Sequence, residues 1–376
     1  MDLGLNEEQQ MLQKIARDFL EKECPKALVR AMEERNESLP HELWRKMAEV
    51  GWQGLAIPEE YGGSEGGFLD LAILLEEMGR ALLPGPFFST VLCGLAILEA
   101  GSQKQKKTYL PGIASGETIM AFALTEDNAR FDAAGITCKA TQPGHGYLLQ
   151  GTKLFVPDAS VADYLLVAAR TKESANAEEG VTLFLVDARS PGIAITPLKT
   201  IAGDNQCEVV FDKVRVDRET VLGEVDRGWP TVQWMLERGA VGKCAEMVGN
   251  AQKVVEMSVE YAKERVQFGR PIGSFQTIQN RCADMVTDAD GARYITYYAA
   301  WLVSQGLPAA VDVAVAKAWT SDACRRVCAQ AHQLHGGIGF TKDHDLQLFT
   351  RRAKAAELAF GDAEYHREMI AQSMGL

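Results

Sequence analysis

A chain of 376 residues has room for two or three domains at roughly 150 residues each, which excludes a disulfide miniprotein or a lone peptide module. Acidic residues outnumber basic ones 51 to 39, and the resulting net charge of -12 repels a nucleic-acid backbone while leaving room for a local basic pocket. With 47% apolar and 24% charged residues the composition is globular, and no apolar run approaches the ~18 residues that a membrane span needs.

The start, Met1 to Glu8, has neither a basic region nor an apolar signal stretch, so the expected location is cytoplasmic. From residue 5 to about 115 the apolar period is helical. Leu12, Ile15, Ala16, Phe19 and Leu20 form one stripe behind a capping box at Asn6 and Gln9. Leu43, Trp44, Met47 and Val50 follow Pro40, which suits the first turn of a second helix. Leu71, Leu74, Leu75 and Met78 mark a third, and Val91, Leu92, Leu95, Ala96 and Leu98 a fourth. Residues 1–115 are therefore expected to form an N-terminal helical domain.

Between residues 116 and 228 short β-rich runs alternate with turn residues. They are Ile119 to Leu124, Ile136 to Ala140, Tyr147 to Val156, Tyr164 to Ala169, Val181 to Val186, Ile193 to Thr196 and Val209 to Val216. Pro143-Gly144-His145-Gly146 reads as a hairpin turn. Closely spaced strands without intervening helices predict an antiparallel β-barrel or sandwich. The polar stretch Thr171 to Gly180 reads as a solvated loop. From Trp229 long helical segments return, broken at Gly269-Arg270-Pro271, Gly306-Leu307-Pro308 and Gly336-Gly337-Ile338-Gly339. Residues 229–376 are expected to form a C-terminal four-helix bundle, giving an α+β chain of three parts.

Two clusters look like chemistry and have plainer explanations. Cys324, Cys328, His332 and His335 share one helix face, but a single helix cannot wrap four ligands around an ion, so a packed face is expected and no metal. The eight cysteines follow no framework spacing and read as reduced thiols. Gly336-Gly337-x-Gly339 follows a helix and not a strand, so the nucleotide-binding βαβ fingerprint fails; a helix C-cap, with bare backbone open to a ligand, is the alternative.

Taken together, four spaced motifs resemble the acyl-CoA dehydrogenase family over essentially the whole chain. Gly51-Trp52-Gln53-Gly54-Leu55-Ala56-Ile57-Pro58-Glu59-Glu60-Tyr61-Gly62-Gly63 is similar to its N-terminal signature. Phe122-Ala123-Leu124-Thr125-Glu126 is similar to the strand whose backbone and threonine face the flavin. Arg265-x-x-Phe268-Gly269 with Phe275-Gln276, and Gln333-Leu334-His335-Gly336-Gly337-x-Gly339-Phe340, look like its two C-terminal signatures. The resemblance implies FAD, bound through Phe122, Leu124, Thr125, Phe155 and Pro157 at the flavin end and through Arg265, Phe268, Gln276, Gln333 and Gly337 at the adenosine-diphosphate end, largely of a neighbouring subunit's FAD. It also implies a tetramer, an acyl-CoA substrate in acyl-CoA or fatty acid degradation, and electron-transfer flavoprotein as acceptor. A carboxylate takes the proton next to the thioester carbonyl while the flavin takes hydride from the next carbon.

The departures concern that carboxylate. Counting from Gly336 puts Phe360 where the family's commoner glutamate base stands, and counting from Gly228, Gln252 and Arg265 puts Gly239-Ala240 at the second base position. Glu237 is two residues early, about 200° around a helix, and is a weak candidate. At the flavin end Phe131 replaces a serine, and Pro157 stands where a threonine hydroxyl is usual. The expectation is a subunit of a hetero-oligomeric dehydrogenase whose base lies on the other chain. The alternatives are a catalytically silent scaffold, or a homomer with a displaced base at Glu237, Asp362, Glu357 or Glu126. The missing base and serine point toward a bulky, branched, cyclic or dicarboxylic acyl group.

Overall fold

The computed structural model describes residues 4–376; Met1 to Leu3, where the leader reading begins, lie outside the described residues. The chain order is helices, strands, helices. Six helices come first: α1 (Glu7–Glu23), α2 (Lys26–Arg35), α3 (His41–Glu49), α4 (Phe68–Ala81), α5 (Phe87–Ala100) and α6 (Gln103–Ala114). The Asn6–Gln9 capping box is present, with Asn6 accepting from the Gln9 N–H at 2.8 Å. Pro40 is the N-cap of α3, one residue outside the helix it was expected to open.

Eight strands follow: β1 (Met120–Ala123), β2 (Lys139–Thr141), β3 (Tyr147–Pro157), β4 (Tyr164–Arg170), β5 (Val181–Asp187), β6 (Ile193–Leu198), β7 (Gln206–Val216) and β8 (Val221–Leu222). They pair in the order β6-β7-β3-β2-β4-β5-β8, with β1 attached to β4. The expected antiparallel barrel is thus an open mixed sheet, because β1 and β2 both lie parallel to β4. Short strands with a two-residue period could not reveal direction, which depends on the path of the connections. The β2–β3 hairpin forms around Pro143 to Gly146 as expected.

The last part holds α7 (Trp229–Glu264), the two-residue strands β9 (Val266–Gln267) and β10 (Arg270–Pro271), α8 (Gln276–Ser304), α9 (Ala310–His335), α10 (Leu346–Leu358) and α11 (Ala363–Ser373). The three long helices run 36, 29 and 26 residues, and the fourth place in the bundle is shared by α10 and α11, which a turn at Ala359–Asp362 separates. No described helix is long and apolar enough to cross a membrane.

Two compact units result. One comprises Met1–Ala31, Phe68–Leu83 and Glu237–Leu376; the other comprises Met32–Gly67 and Pro84–Leu236. In the sheet unit Ala121, Ala123, Leu149, Val167, Phe184, Val209 and Phe211 share one core. In the helical unit Gly79 of α4 meets α7 so closely that a Cβ would lie 2.0 Å from the Glu246 carbonyl oxygen, and Gly249 meets α4 the same way. A side chain at either position would push those helices apart. Cys324, Cys328, His332 and His335 lie on the buried face of α9, which accounts for their spacing by packing.

Candidate functional site

In the sheet unit, the candidate residues gather where β1 ends beside β3. The Ile119 carbonyl accepts from the Tyr164 N–H at 3.3 Å, so the odd-numbered residues of β1 face β4. On the other edge the Thr90 hydroxyl of α5 accepts from the Met120 N–H at 3.2 Å. Phe122, two residues on, therefore turns its backbone N–H and C=O to the edge where no strand pairs. Beyond the strand end the Thr125 carbonyl accepts from the Leu154 N–H at 2.8 Å, while its hydroxyl has no hydrogen bond among the described residues.

On β3 the pairing to β7 shifts register between Lys153 and Val156. The bulge leaves Phe155 with φ 52° and 55% exposed. A bulky residue held left-handed with its ring in solvent is the kind of outlier that a ligand surface accounts for and a core does not. Pro157 closes the strand opposite Gln206 and has no N–H to offer.

Glu126 lies beside this edge and is not available as a base. It is buried against the fully buried Lys153, Oε1 to Nζ 2.7 Å, and accepts from the Thr137 and Cys138 N–H groups at 3.0 Å. Burial works to raise its pKa, but the Lys153 ammonium and the hydrogen bonds from Lys153, Thr137 and Cys138 outweigh it, holding the carboxyl below the usual range.

In the helical unit, β9 and β10 form a hairpin with Phe268 at φ 53° and Gly269 at φ 79° as its two turn residues. Two left-handed residues in sequence match the twist of a tight hairpin, and Phe268 is thereby held 93% exposed. Behind it lies a cleft of about 530 Å³ lined by Tyr261, Arg265, Phe268, Phe275, His335 and Gly336, among others. The exposed Arg265 guanidinium has no carboxylate partner among the described residues. Gly336 caps α9 at φ 65°, and a Cβ on Gly336 or Gly337 would meet nothing within 4 Å, so this backbone stands open.

Arg265 and Phe268 thus share one cleft. Gln276 at the start of α8, Gln333 in the last turn of α9, and Gly337 are exposed residues that adjoin the cleft wall in sequence without lining it. Sequence reading missed Tyr261 and His335 as members. Their rings stack at 4.5 Å, and the signal for Tyr261 was its place one helical turn before Arg265. The His335 Nδ1–H donates to the Ala331 carbonyl at 2.9 Å, which fixes the tautomer.

Gly239 and Phe360, the residues that fall at the two counted positions, meet each other. A Cβ on Gly239 would lie 2.5 Å from Cδ1 and Cε1 of Phe360, so the Phe360 ring occupies the space into which any side chain at residue 239 would grow. The turn under that ring is built for it. Phe360 has φ 57° and Gly361 φ 92°, the His366 Nε2–H donates to the Phe360 carbonyl at 3.0 Å, and the buried Lys317 ammonium donates to the Glu357 and Gly361 carbonyls at 2.7 and 2.8 Å.

The other base candidates are elsewhere or engaged. Asp362 caps α11, accepting from the Tyr365 N–H at 2.9 Å, and Glu357 pairs with Lys354 at 3.0 Å. Glu237 is half-buried, and burial raises its pKa against the opposing charge of Arg238. The face of α7 that meets Phe360 carries Gly239, and two residues back is the opposite side.

Comparison with known proteins follows the same division of the chain. Family models for the acyl-CoA dehydrogenase N-terminal, middle and C-terminal domains match residues 6–117, 121–214 and 226–375. The class they define is that of FAD-dependent oxidoreductases acting on CH–CH bonds. A probable acyl-CoA dehydrogenase of Bacillus subtilis, YngJ, is 35% identical over 380 residues, covering 100% of both chains. Butyryl-CoA dehydrogenase from Megasphaera elsdenii superimposes with a TM-score of 0.92 at 31% identity, covering 100% of both. The ChsE4-ChsE5 complex from Mycobacterium tuberculosis gives 0.91 at 30% identity, covering 100% of this chain and 99% of that one. The chain belongs to the acyl-CoA dehydrogenase family.

FAD fits the residues present, end by end. A dinucleotide pyrophosphate needs cations and bare backbone, and the cleft offers the unpaired Arg265 beside the open Gly336-Gly337 turn. A flavin ring needs backbone donors, a hydroxyl and an aromatic surface, and the sheet offers the free edge at Phe122, Thr125 and Phe155. Phe131 and Pro157 add no hydroxyl.

Proposed function

We propose that this chain is one subunit of a hetero-oligomeric acyl-CoA dehydrogenase that introduces a double bond between the α and β carbons of an acyl-CoA thioester. The base is supplied by a second, homologous chain. The observation that carries the reading is the Gly239–Phe360 contact: both positions where the family keeps its base are filled by groups that cannot accept a proton, and the Phe360 ring takes the space that a side chain at residue 239 would need.

FAD, when bound, accepts the hydride. The residues here do the binding: Arg265 neutralises pyrophosphate charge, Gly337 lets the backbone approach it, Phe268, Gln276 and Gln333 frame the adenosine end, and Phe122, Leu124, Thr125, Phe155 and Pro157 face the ring end. The Phe360 ring presents an apolar wall where a carboxylate would otherwise stand. A tetrameric assembly, cytoplasmic location, a role in acyl-CoA degradation and electron-transfer flavoprotein as acceptor complete the proposal, as does a division into parts at residues 1–115, 116–228 and 229–376.

The experiment is purification of the chain alone and with a co-expressed homologue, followed by the visible spectrum, the FAD-to-chain ratio and turnover of acyl-CoA thioesters. Half-occupancy with activity only in the mixed complex supports the proposal. A yellow, fully active homotetramer overturns it. Phe131 and Pro157 favour a second reading, a silent scaffold, and that reading requires a mixed complex in which removing this chain's cleft arginine changes nothing.

A further inference from the structure

The five candidate residues for the flavin end fall in two segments far apart in sequence, Phe122, Leu124 and Thr125 on β1 and directly after it, and Phe155 and Pro157 on β3. One buried ion pair joins their supports. The Lys153 ammonium, fully buried, donates to the Leu124 carbonyl at 3.0 Å and to Glu126 Oε1 at 2.7 Å. These acceptors flank Thr125. Glu126 in turn is held by the N–H groups of Thr137 and Cys138 and by the Thr137 hydroxyl. Lys153 itself is the last regularly paired residue before the bulge that projects Phe155.

The consequence is geometric. Residues 124 to 126 are fixed by one ammonium on both sides of Thr125 and by the Leu154 N–H on its carbonyl, which leaves the threonine hydroxyl as the group with freedom to meet a ligand. An ordinary core would fill this place with apolar side chains, since burying two charges is costly and replacing such a pair with apolar residues is often neutral or stabilising.

We infer that Lys153 and Glu126 are the positioning pair of the flavin end: they set Thr125 and the Phe155 bulge against the cofactor ring without touching the reacting atoms. The inference rests on the reading that Thr125 faces the flavin, so the test separates the two. The flavin-loaded complex with its co-expressed homologue is prepared as wild type, Thr125→Ala, Glu126→Gln, and the charge-neutral double variant Lys153→Met with Glu126→Gln. FAD dissociation and the fine structure of the long-wavelength flavin band are measured well below each variant's melting temperature.

The double variant is expected to weaken FAD by about tenfold, the factor carried by one lost hydrogen bond, and to blur the band as Thr125→Ala does. Glu126→Gln, which keeps an oxygen for the Thr137 and Cys138 N–H groups, moves both readouts the same way by less and serves where the double variant does not fold. A purely structural pair would lower the melting temperature and leave the band of the folded protein unchanged; that result overturns the inference and leaves the reading standing. Thr125→Ala with no effect on spectrum or affinity overturns the reading and the inference with it.

Discussion

Placing a methyl group on Gly239 tests the central contact directly. In Gly239→Ala the new carbon lies 2.5 Å from two ring carbons of Phe360 and 2.8 Å from Cγ, well inside van der Waals contact. The backbone under the ring cannot give way, because it is held at φ 57° with the Phe360 carbonyl on His366 and the carbonyls of Glu357 and Gly361 on Lys317, so the ring has to leave its present rotamer to relieve the clash. Overpacking of this kind costs about 1–3 kcal/mol. Gly239 also lies inside α7, where Gly to Ala is worth about 1 kcal/mol of helix propensity in the other direction. The net change in the wild-type background is a destabilisation of up to about 2 kcal/mol, and in a Phe360→Ala background, where the clash is gone, a stabilisation of about 1 kcal/mol. Urea-unfolding midpoints of the four proteins, at one protein concentration, give the coupling energy. A sign reversal with coupling of about 1–3 kcal/mol is expected. Equal shifts in both backgrounds would refute the claim that a side chain at residue 239 and the Phe360 ring occupy one space.

Further outcomes follow from the same structure. Burial pushes Lys317 down to about 8 from the ordinary lysine value of 10.5, so between those values the unfolded chain holds more protons than the folded one and stability rises with pH; Lys317→Met flattens this rise, apart from the share of Lys26, which is lowered to about 8 by its own burial. His366 is lowered by burial to about 4 from 6.5, so stability drops as pH falls through that window, and His366→Gln reduces the drop in acid-unfolding curves. Lys153→Met alone strands the Glu126 carboxylate and costs about 3–5 kcal/mol, more than the charge-neutral double variant, in the same unfolding assay. In the active complex Glu237→Gln leaves turnover unchanged, while Arg265→Ala lowers FAD retention on gel filtration by roughly an order of magnitude; a rate lost in the first case would make Glu237 the base.

How much was legible in the residues differs by element. Helical stripes behind α1, α3, α4 and α5 and the seven β-rich runs were readable because burial on one face repeats with a fixed period. The capping box and the glycine ends were readable because those side chains satisfy or release specific backbone groups. The Phe268-Gly269 hairpin was not: two residues between two-residue strands carry no period, and an aromatic in the left-handed region runs against local preference. Strand direction was also hidden, since Val, Leu and Ala look alike in parallel and antiparallel partners, and only the long connections place β1 and β2 alongside β4.

By itself the sequence determined the order of helices, strands and helices, the family, and the absence of a carboxylate at two counted positions, because each depends on residue identity and spacing along one line. Tertiary structure decided that Gly239 and Phe360 are one feature and not two. It showed that Glu126 serves Lys153 and not a substrate, and that Arg265 shares its cleft with Tyr261 and His335. Those facts depend on which distant segments share a volume, and close packing, which no local pattern encodes, sets that.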